Sequence, residues 1–238
     1  MAITVQTLSQ LPFFAGFGED ALLEIASQIH ERTFSPGQMV ILEGEPCQAV
    51  YFVVQGVVRT RRMSLEGREQ VLAYLGPGKS FNLVPALDGG PNLATVDALT
   101  EVTLYTIPCE RFRQIMRDHH EVALAALEQL AAEVRHLSDM VEDLALHTVR
   151  TRLARFLLTH ASAEPSSRAQ AEGLGEVAED TQPPERWTQE EIAARIGTVR
   201  EMVARTLRDF AAAGLIHRER GRIVVVDREG LEREATGG

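Results

Sequence analysis

Arg200, Glu201 and Arg205 lie close together in the stretch W-T-Q-E-E-I-A-A-R-I-G-T-V-R-E-M-V-A-R-T-L (187–207), and they are residue types that read bases. An arginine fork donates two hydrogen bonds to O6 and N7 of guanine, and a carboxylate accepts from the N4 amino group of cytosine. Arg200 and Arg205 therefore fit guanine and Glu201 fits cytosine. A solvated helix face of mixed charge has the same composition, so the elements that hold these residues must decide between the two readings.

Those elements are legible. Thr188 stands where a helix N-cap belongs, and Glu191 follows three residues later, which is the spacing of a capping box. Ile192 and Ile196 mark one apolar stripe before Gly197 breaks the helix. The next helix gathers Val199, Val203, Thr206, Leu207 and Phe210 on one side. Arg200, Glu201, Ala204, Arg205 and Arg208 occupy the other. The pattern predicts a helix-turn-helix whose second helix enters a major groove. Leu215–Arg220 and Arg222–Asp227 then read as two strands around Gly221, a wing with Arg218, Arg220 and Arg222 near its tip for phosphate contacts. The predicted DNA-facing set is Thr188, Thr198, Arg200, Glu201, Arg205, Arg208, Arg218, Arg220 and Arg222.

The 238-residue chain carries a formal charge of −10, which opposes phosphate binding taken as a whole. The distribution removes the conflict. Arg186 to Arg222 holds eight arginines against five acidic residues, while Ala163–Asp180 holds five acidic residues and one arginine. Lys79 is the single lysine, so arginine carries the basic chemistry. No apolar run spans a bilayer and no signal peptide opens the chain, so a cytoplasmic protein with no membrane partner is expected. Cys47 and Cys109 are too few for a disulfide framework or for a zinc or iron–sulfur ligand set, and each is expected to be an ordinary thiol. No nucleophile–base–orienter set, phosphate-cradling glycine loop or metal-ligand cluster is legible, so neither an enzyme nor a cofactor is expected.

Further toward the N-terminus, Ser9–Phe14 reads as a turn and Asp20–Ile29 as an amphipathic helix. Met39–Leu42, Ala49–Val54, Val57–Met63, Gln70–Tyr74, Ala94–Ala98 and Val102–Ile107 are short strands separated by glycine turns. They predict an antiparallel β-roll or jelly roll. A long helix then runs from about Cys109 or Glu121 to Leu146. Its apolar residues Ala123, Leu127, Leu130, Val134, Leu137, Val141, Leu144 and Thr148 step alternately by 4 and 3, the seam of a coiled coil. A core helix packed on its own domain is the other reading, but the seam is narrower than such a helix requires, which favours a parallel homodimer. Arg150–His160 begins the last domain, burying Leu153, Phe156, Leu157 and Leu158. The fold class expected is α+β: a β-roll over 1–120, a dimerisation helix over 121–147 and a winged helix-turn-helix over 148–238, with a flexible loop at 163–185.

In this order the parts resemble the Crp–Fnr family of transcription regulators. The resemblance rests on E-G-E-P (43–46), V-Y-F-V-V-Q-G-V-V-R (50–59), the Gly76–Phe81 turn and I-G-T-V-R-E-M-V-A-R (196–205). It implies a cyclic-nucleotide-binding-like roll and, from the spacing of Arg200, Glu201 and Arg205, a TGTGA…TCACA inverted repeat. Double-stranded DNA, a second copy of the chain and RNA polymerase are the implied partners. Members that bind cyclic AMP carry Gly-Glu for the ribose and Arg-Ser-Ala for the phosphate. Here Asn82-Leu83 and Asn92-Leu93-Ala94 stand in those places, and Leu137-Ser138 stands where the dimer helix would meet the purine. Without the arginine the phosphate loses its bidentate partner, so cyclic AMP is not the expected effector. The alternatives are a small apolar or carboxylate metabolite held among Phe81, Asn82, Leu83, Val84, Asn92, Leu93, Leu137 and Ser138, or no small ligand. Haem would need an axial ligand, but His30, His119, His120, His136 and His147 read better as satisfied or exposed side chains. A regulatory module whose C-terminal domain contacts protein is the competing function.

Overall fold

A computed structural model describes residues 5–160, 162–163, 187–219 and 222–237. The chain opens with α1 (Val5–Ser9), a 3-10 turn at Pro12–Phe14 and α2 (Glu19–Gln28). The glycine-punctuated region follows as β1 (His30–Phe34), β2 (Met39–Ile41), β3 (Ala49–Gln55), β4 (Val58–Met63), β5 (Glu69–Leu75), β6 (Ser80–Phe81), α3 (Leu83–Asp88), β7 (Thr95–Ala98) and β8 (Val102–Pro108). These strands make two four-stranded sheets, in the orders β1-β8-β3-β6 and β2-β7-β4-β5.

Strand β3 explains why the roll holds. Its sequence AVYFVVQ is almost continuously apolar, as a strand covered on both faces must be. Ala49, Tyr51 and Val53 point into a cluster with Val58, Val96, Ala98 and Leu104, which joins the two sheets. Val50 and Phe52 point the other way, into a cluster with Phe13, Phe14, Ile25, Phe112 and Val122 from the helices. The Phe13, Phe14 and Phe52 rings pack 4.7–5.1 Å apart, centroid to centroid. β1 escaped the periodicity because H-E-R-T-F is exposed except at Phe34. It is an edge strand specified by its pairing with β8 rather than by its own side chains.

The long-helix segment resolves into two helices, α4 (Cys109–Asp118) and α5 (His120–Leu146), separated at His119. The chain continues through α6 (Val149–His160), the two-residue β9 (Ser162–Ala163), α7 (Gln189–Ile196), α8 (Arg200–Ala212), β10 (Ile216–Glu219), β11 (Arg222–Val225) and α9 (Arg228–Thr236). Ser162–Ala163 pairs with β11 in parallel, so structure extends into the start of the predicted loop. The rest of that loop lies outside the described residues. No described helix is long and apolar enough to cross a membrane.

By contact density the chain divides into Met1–Arg62 with Leu72–His136, and Met63–Val71 with Leu137–Gly238. The division falls within α5. One expectation is corrected: Cys47 and Cys109 are not separate thiols but are bonded to each other, with Cα atoms 6.8 Å apart. Two residues 62 apart in sequence meet only through the roll, which brings the turn before β3 against the start of α4.

Helix α9 was not foreseen. Asp227 caps it by accepting from the Gly230 N–H at 2.8 Å, and Leu231 and Ala235 join the core formed by α6, α7 and α8. Glu234 accepts two hydrogen bonds from the Arg150 guanidinium, which also lies 4.7 Å from the centre of the Phe210 ring. The hydrogen bond from Arg150 holds the Glu234 carboxyl below its ordinary value, with burial opposing. A lowered folded-state value gives stability that is present above the unfolded value of about 4.3 and disappears as pH falls through the folded one. Glu234→Gln is therefore expected to lower stability at pH 7 by about 0.2–1 kcal/mol, the range for an ion pair that water still reaches. Urea titrations should show the gap closing on acidification below about pH 4.

Candidate nucleic-acid interface

The helix-turn-helix is built as the side chains require. Thr188 Oγ1 accepts from the Glu191 N–H at 3.1 Å, and Glu191 Oε2 accepts from the Thr188 N–H at 2.7 Å, completing the capping box. Ile192, Ala193 and Ile196 bury the inner face of α7. Gly197 ends the helix in the left-handed region (φ +67°), and the Thr198 N–H returns to the Ala193 carbonyl at 2.9 Å. A side chain at Gly197 would suffer both the backbone strain and the crowding of Leu144 and Gln70.

Val199 is the N-cap of α8 and is 39% exposed, so it does not join the buried stripe to which the periodicity assigned it. Val203, Thr206, Leu207 and Phe210 form that stripe, and the Thr206 hydroxyl donates to the Met202 carbonyl at 2.9 Å. Arg200, Glu201, Arg205 and Arg208 are all exposed, and no ion pair among the described residues engages them. Glu201 and Arg205 are one helical turn apart and Arg200 and Arg208 are two turns apart, so the outer face carries three guanidinium groups beside one carboxylate. Unpaired charge in the first turns of such a helix suits base edges better than it suits a core.

The wing pairs β10 with β11 antiparallel, placing Arg218 opposite Ile223 and Glu219 opposite Arg222. Alternation along the ladder puts Arg218 and Arg222 on opposite faces, rather than in the single cluster that their spacing implied. Both are exposed. Arg220 lies outside the described residues.

One residue of this region had no signal in the sequence. The Arg152 guanidinium donates to the Asp143, Leu144 and Gly197 carbonyls at 3.5, 3.3 and 3.4 Å. It therefore ties the C-terminal end of α5 to the turn of the helix-turn-helix. Burial pushes its ionisation down, with Asp143 opposing. Gln70 supports the same turn by donating to the Arg195 carbonyl at 3.4 Å. Nothing in T-R-L-A-R marks which arginine turns inward, because the partners are backbone carbonyls from remote segments.

In the roll, Asn82 and Asn92 are brought together. Asn82 holds a left-handed backbone (φ +68°), and its amide donates to Asn92 Oδ1 and to the Ala49 carbonyl, both at 3.0 Å. Asn92 Nδ2 in turn donates to the Leu42 carbonyl at 3.0 Å. Phe81 stacks on Tyr51 with ring centres 4.8 Å apart, whereas Leu83 packs in the other cluster with Val50 and Phe52. Val84 is half-buried, Leu93 is 52% exposed, and Leu137 and Ser138 are exposed on α5. Of the expected lining, the structure thus joins the two asparagines directly and divides Phe81 from Leu83. His136, on α5, bonds the Leu72 carbonyl at 3.1 Å, and His119 bonds Glu24 at 2.9 Å. Among the described residues no cluster of three metal-ligating side chains forms.

Comparison with known proteins matches residues 31–119 to the cyclic nucleotide-binding domain and residues 151–234 to the Crp-like helix-turn-helix domain. The chain is 30% identical over 230 residues to a CRP-like cAMP-activated global transcriptional regulator of Mycobacterium tuberculosis, covering 97% of this chain and 99% of that one. It is 31% identical over 228 residues to the cyclic AMP receptor protein of Thermus thermophilus, covering 95% and 97%. A solved CRP-family transcriptional regulator from Thermus thermophilus superposes with a TM-score of 0.64 at 25% identity, covering 86% of this chain and 96% of that one.

The Arg152 clamp is testable by itself. Arg152→Met is expected to destabilise the protein by about 1–3 kcal/mol, the range for charge-assisted hydrogen bonds. Arg152→Lys, which keeps the charge but loses the fork, should fall between it and the wild type in the same urea titration.

Proposed function

Because this chain belongs to the Crp–Fnr family of transcription regulators, we propose that it acts as a parallel homodimer that reads an inverted repeat of TGTGA-like half-sites without cyclic AMP. The observation that carries the reading is the outer face of α8. Arg200, Glu201 and Arg205 stand exposed there without ion-pair partners among the described residues, on a helix whose opposite face is fully buried. Two guanines and one cytosine in a half-site would satisfy those three side chains. Arg208, Thr188, Thr198 and the wing arginines fix the register through phosphates. Residues 1–120 serve as sensor, 121–147 as dimer helix and 148–238 as reader. The protein works in the cytoplasm, on promoters, alongside RNA polymerase.

The seam of α5 supports the dimer. Leu127, Val134 and Val141 are 61, 65 and 64% exposed, and Leu137 and Leu144 are also exposed. A row of that length is covered by a second copy of the same row in a coiled coil. Leu130 departs from it by packing against the helical cluster of the roll.

Independence from cyclic AMP rests on the asparagines. Asn82 and Asn92 are committed to each other and to the Ala49 and Leu42 carbonyls, and neither supplies a cation for a cyclic phosphate. A small apolar or carboxylate metabolite is the effector class that remains, unless the dimer is competent unliganded.

Fluorescence anisotropy of the purified protein on a TGTGA…TCACA duplex and on a scrambled one, with and without cyclic AMP, tests the reading. Selective binding unchanged by cyclic AMP is the expected result; absence of salt-sensitive DNA binding would instead favour a C-terminal domain that contacts protein. Arg200→Ala should cost about 1–3 kcal/mol at one guanine position and relax specificity there. Arg218→Ala should weaken both duplexes alike and reduce the salt slope by about one. Val134→Glu, which puts a charge in the seam, should weaken dimerisation at least about tenfold in sedimentation velocity with the helical circular dichroism retained.

A further inference from the structure

The two cysteines are the only thiols in the chain, and the fold joins them beside the asparagine pair. Cys47 precedes β3 and is half-buried, between the exposed residues Pro46 and Gln48. Cys109 is buried and opens α4, at the positive end of a ten-residue helix dipole. The turn carrying Cys47 is laced to both neighbours. The Asn92 N–H donates to the Glu45 carbonyl at 2.8 Å, and the Cys109 N–H donates to the Gln48 carbonyl at 3.1 Å. The Asn82 amide, besides its bonds to Asn92 and Ala49, lies 3.6 Å from Cys47 Sγ. Asn82 is the one non-glycine residue with positive φ among those described, so its conformation depends on what its side chain holds.

A transcription regulator works where cellular reductants keep thiols reduced, so a disulfide there is a chemical state rather than a permanent staple. We infer that Cys47 and Cys109 form a reversible dithiol–disulfide site, oxidised by hydrogen peroxide, whose state is transmitted through Asn82 to the segment 80–92. The inference takes only the reducing surroundings from the proposed function.

The exposure of the two residues assigns their roles. The Cys47 thiolate attacks one peroxide oxygen, the O–O bond breaks, and the departing hydroxide takes a proton to leave as water, giving the sulfenic acid. The Cys109 thiolate then attacks the Cys47 sulfur. The S–S bond forms, the S–O bond breaks, and the second oxygen leaves as water. Two thiols are oxidised to one disulfide, and one peroxide is reduced to two waters. A cellular or added dithiol reverses the step by exchange. In the oxidised state Cys47 Sγ lies 3.6 Å from the Asn82 amide while it is bonded to Cys109; reduction frees that sulfur from α4, so its contact with Asn82 can rearrange. The left-handed turn that starts α3 is the element placed to respond.

The full-length protein, reduced with dithiothreitol and freed of it, is titrated with hydrogen peroxide. One equivalent should consume both thiols, yield a Cys47–Cys109 cross-linked peptide within one chain, and be reversed by dithiothreitol without denaturant. Cys109→Ser should stop at a sulfenic acid on Cys47 that dimedone traps, and Cys47→Ser should leave Cys109 unreacted. Hydrogen–deuterium exchange of the peptide spanning 80–92 should differ at least about threefold between the oxidised and reduced wild type. Thiols that survive excess peroxide, cross-links between chains, or a bond reducible only in urea would overturn the site. Identical exchange in the two states would overturn the transmission. None of these readouts involves DNA, so failure here and failure of operator binding are distinguishable.

Discussion

Helix α5 must satisfy two surfaces with one set of side chains, and the rest of the molecule depends on how it does so. Val122 and Ala126 are buried in the helical cluster of the roll, and Leu130 leans on the same cluster. Polar contacts fix the same side: Gln129 Nε2 donates to the Ser80 carbonyl at 2.9 Å, and His136 bonds the Leu72 carbonyl. An α-helix returns to the same face every 3.6 residues, so anchoring this stripe determines where the apolar residues left over must point. Those residues are Leu127, Val134, Leu137, Val141 and Leu144, and they face outward as a row. A monomer gains nothing from such a row. In a coiled coil such a row is covered by the same row of a second helix.

At the other end of α5 the same economy of contacts holds the helix-turn-helix. Arg152 bridges the last carbonyls of the helix to the carbonyl of Gly197, so the turn before α8 is tied to the end of α5 by one guanidinium. The exposed side chains Arg200, Glu201 and Arg205 then need no support of their own beyond the buried stripe beneath them. This division between a satisfied inner face and an unsatisfied outer one lets a chain of net charge −10 present a local surface of the opposite sign.

The cyclic-nucleotide-binding-like cassette is of a different kind. The family's fold is kept, and the Asn82 and Asn92 amides are bonded to each other and to the Ala49 and Leu42 carbonyls. An amide pair recognises neither sign of charge, and it is already satisfied. Whatever moves this cassette must compete with those hydrogen bonds or alter a neighbour that shares them, and Cys47 is such a neighbour.

The capping box at Thr188 and Glu191, the glycine turn at Gly197, the buried stripe of α8 and the heptad row of α5 were all determined by the sequence alone, because each depends on residues within a few positions of one another. Most of the roll's strands were legible for the same reason. Tertiary structure decided the rest. β1 is polar and exists through its pairing with β8, and Val199 is exposed because the helix begins one residue after it. The inward turn of Arg152, the face on which each wing arginine stands, and the meeting of Cys47 with Cys109 bring together groups from distant parts of the chain. Periodicity records which face a residue occupies on its own element. It holds no record of which remote carbonyl, amide or sulfur the fold will place opposite, and the clamp and the thiol pair are made of such placements.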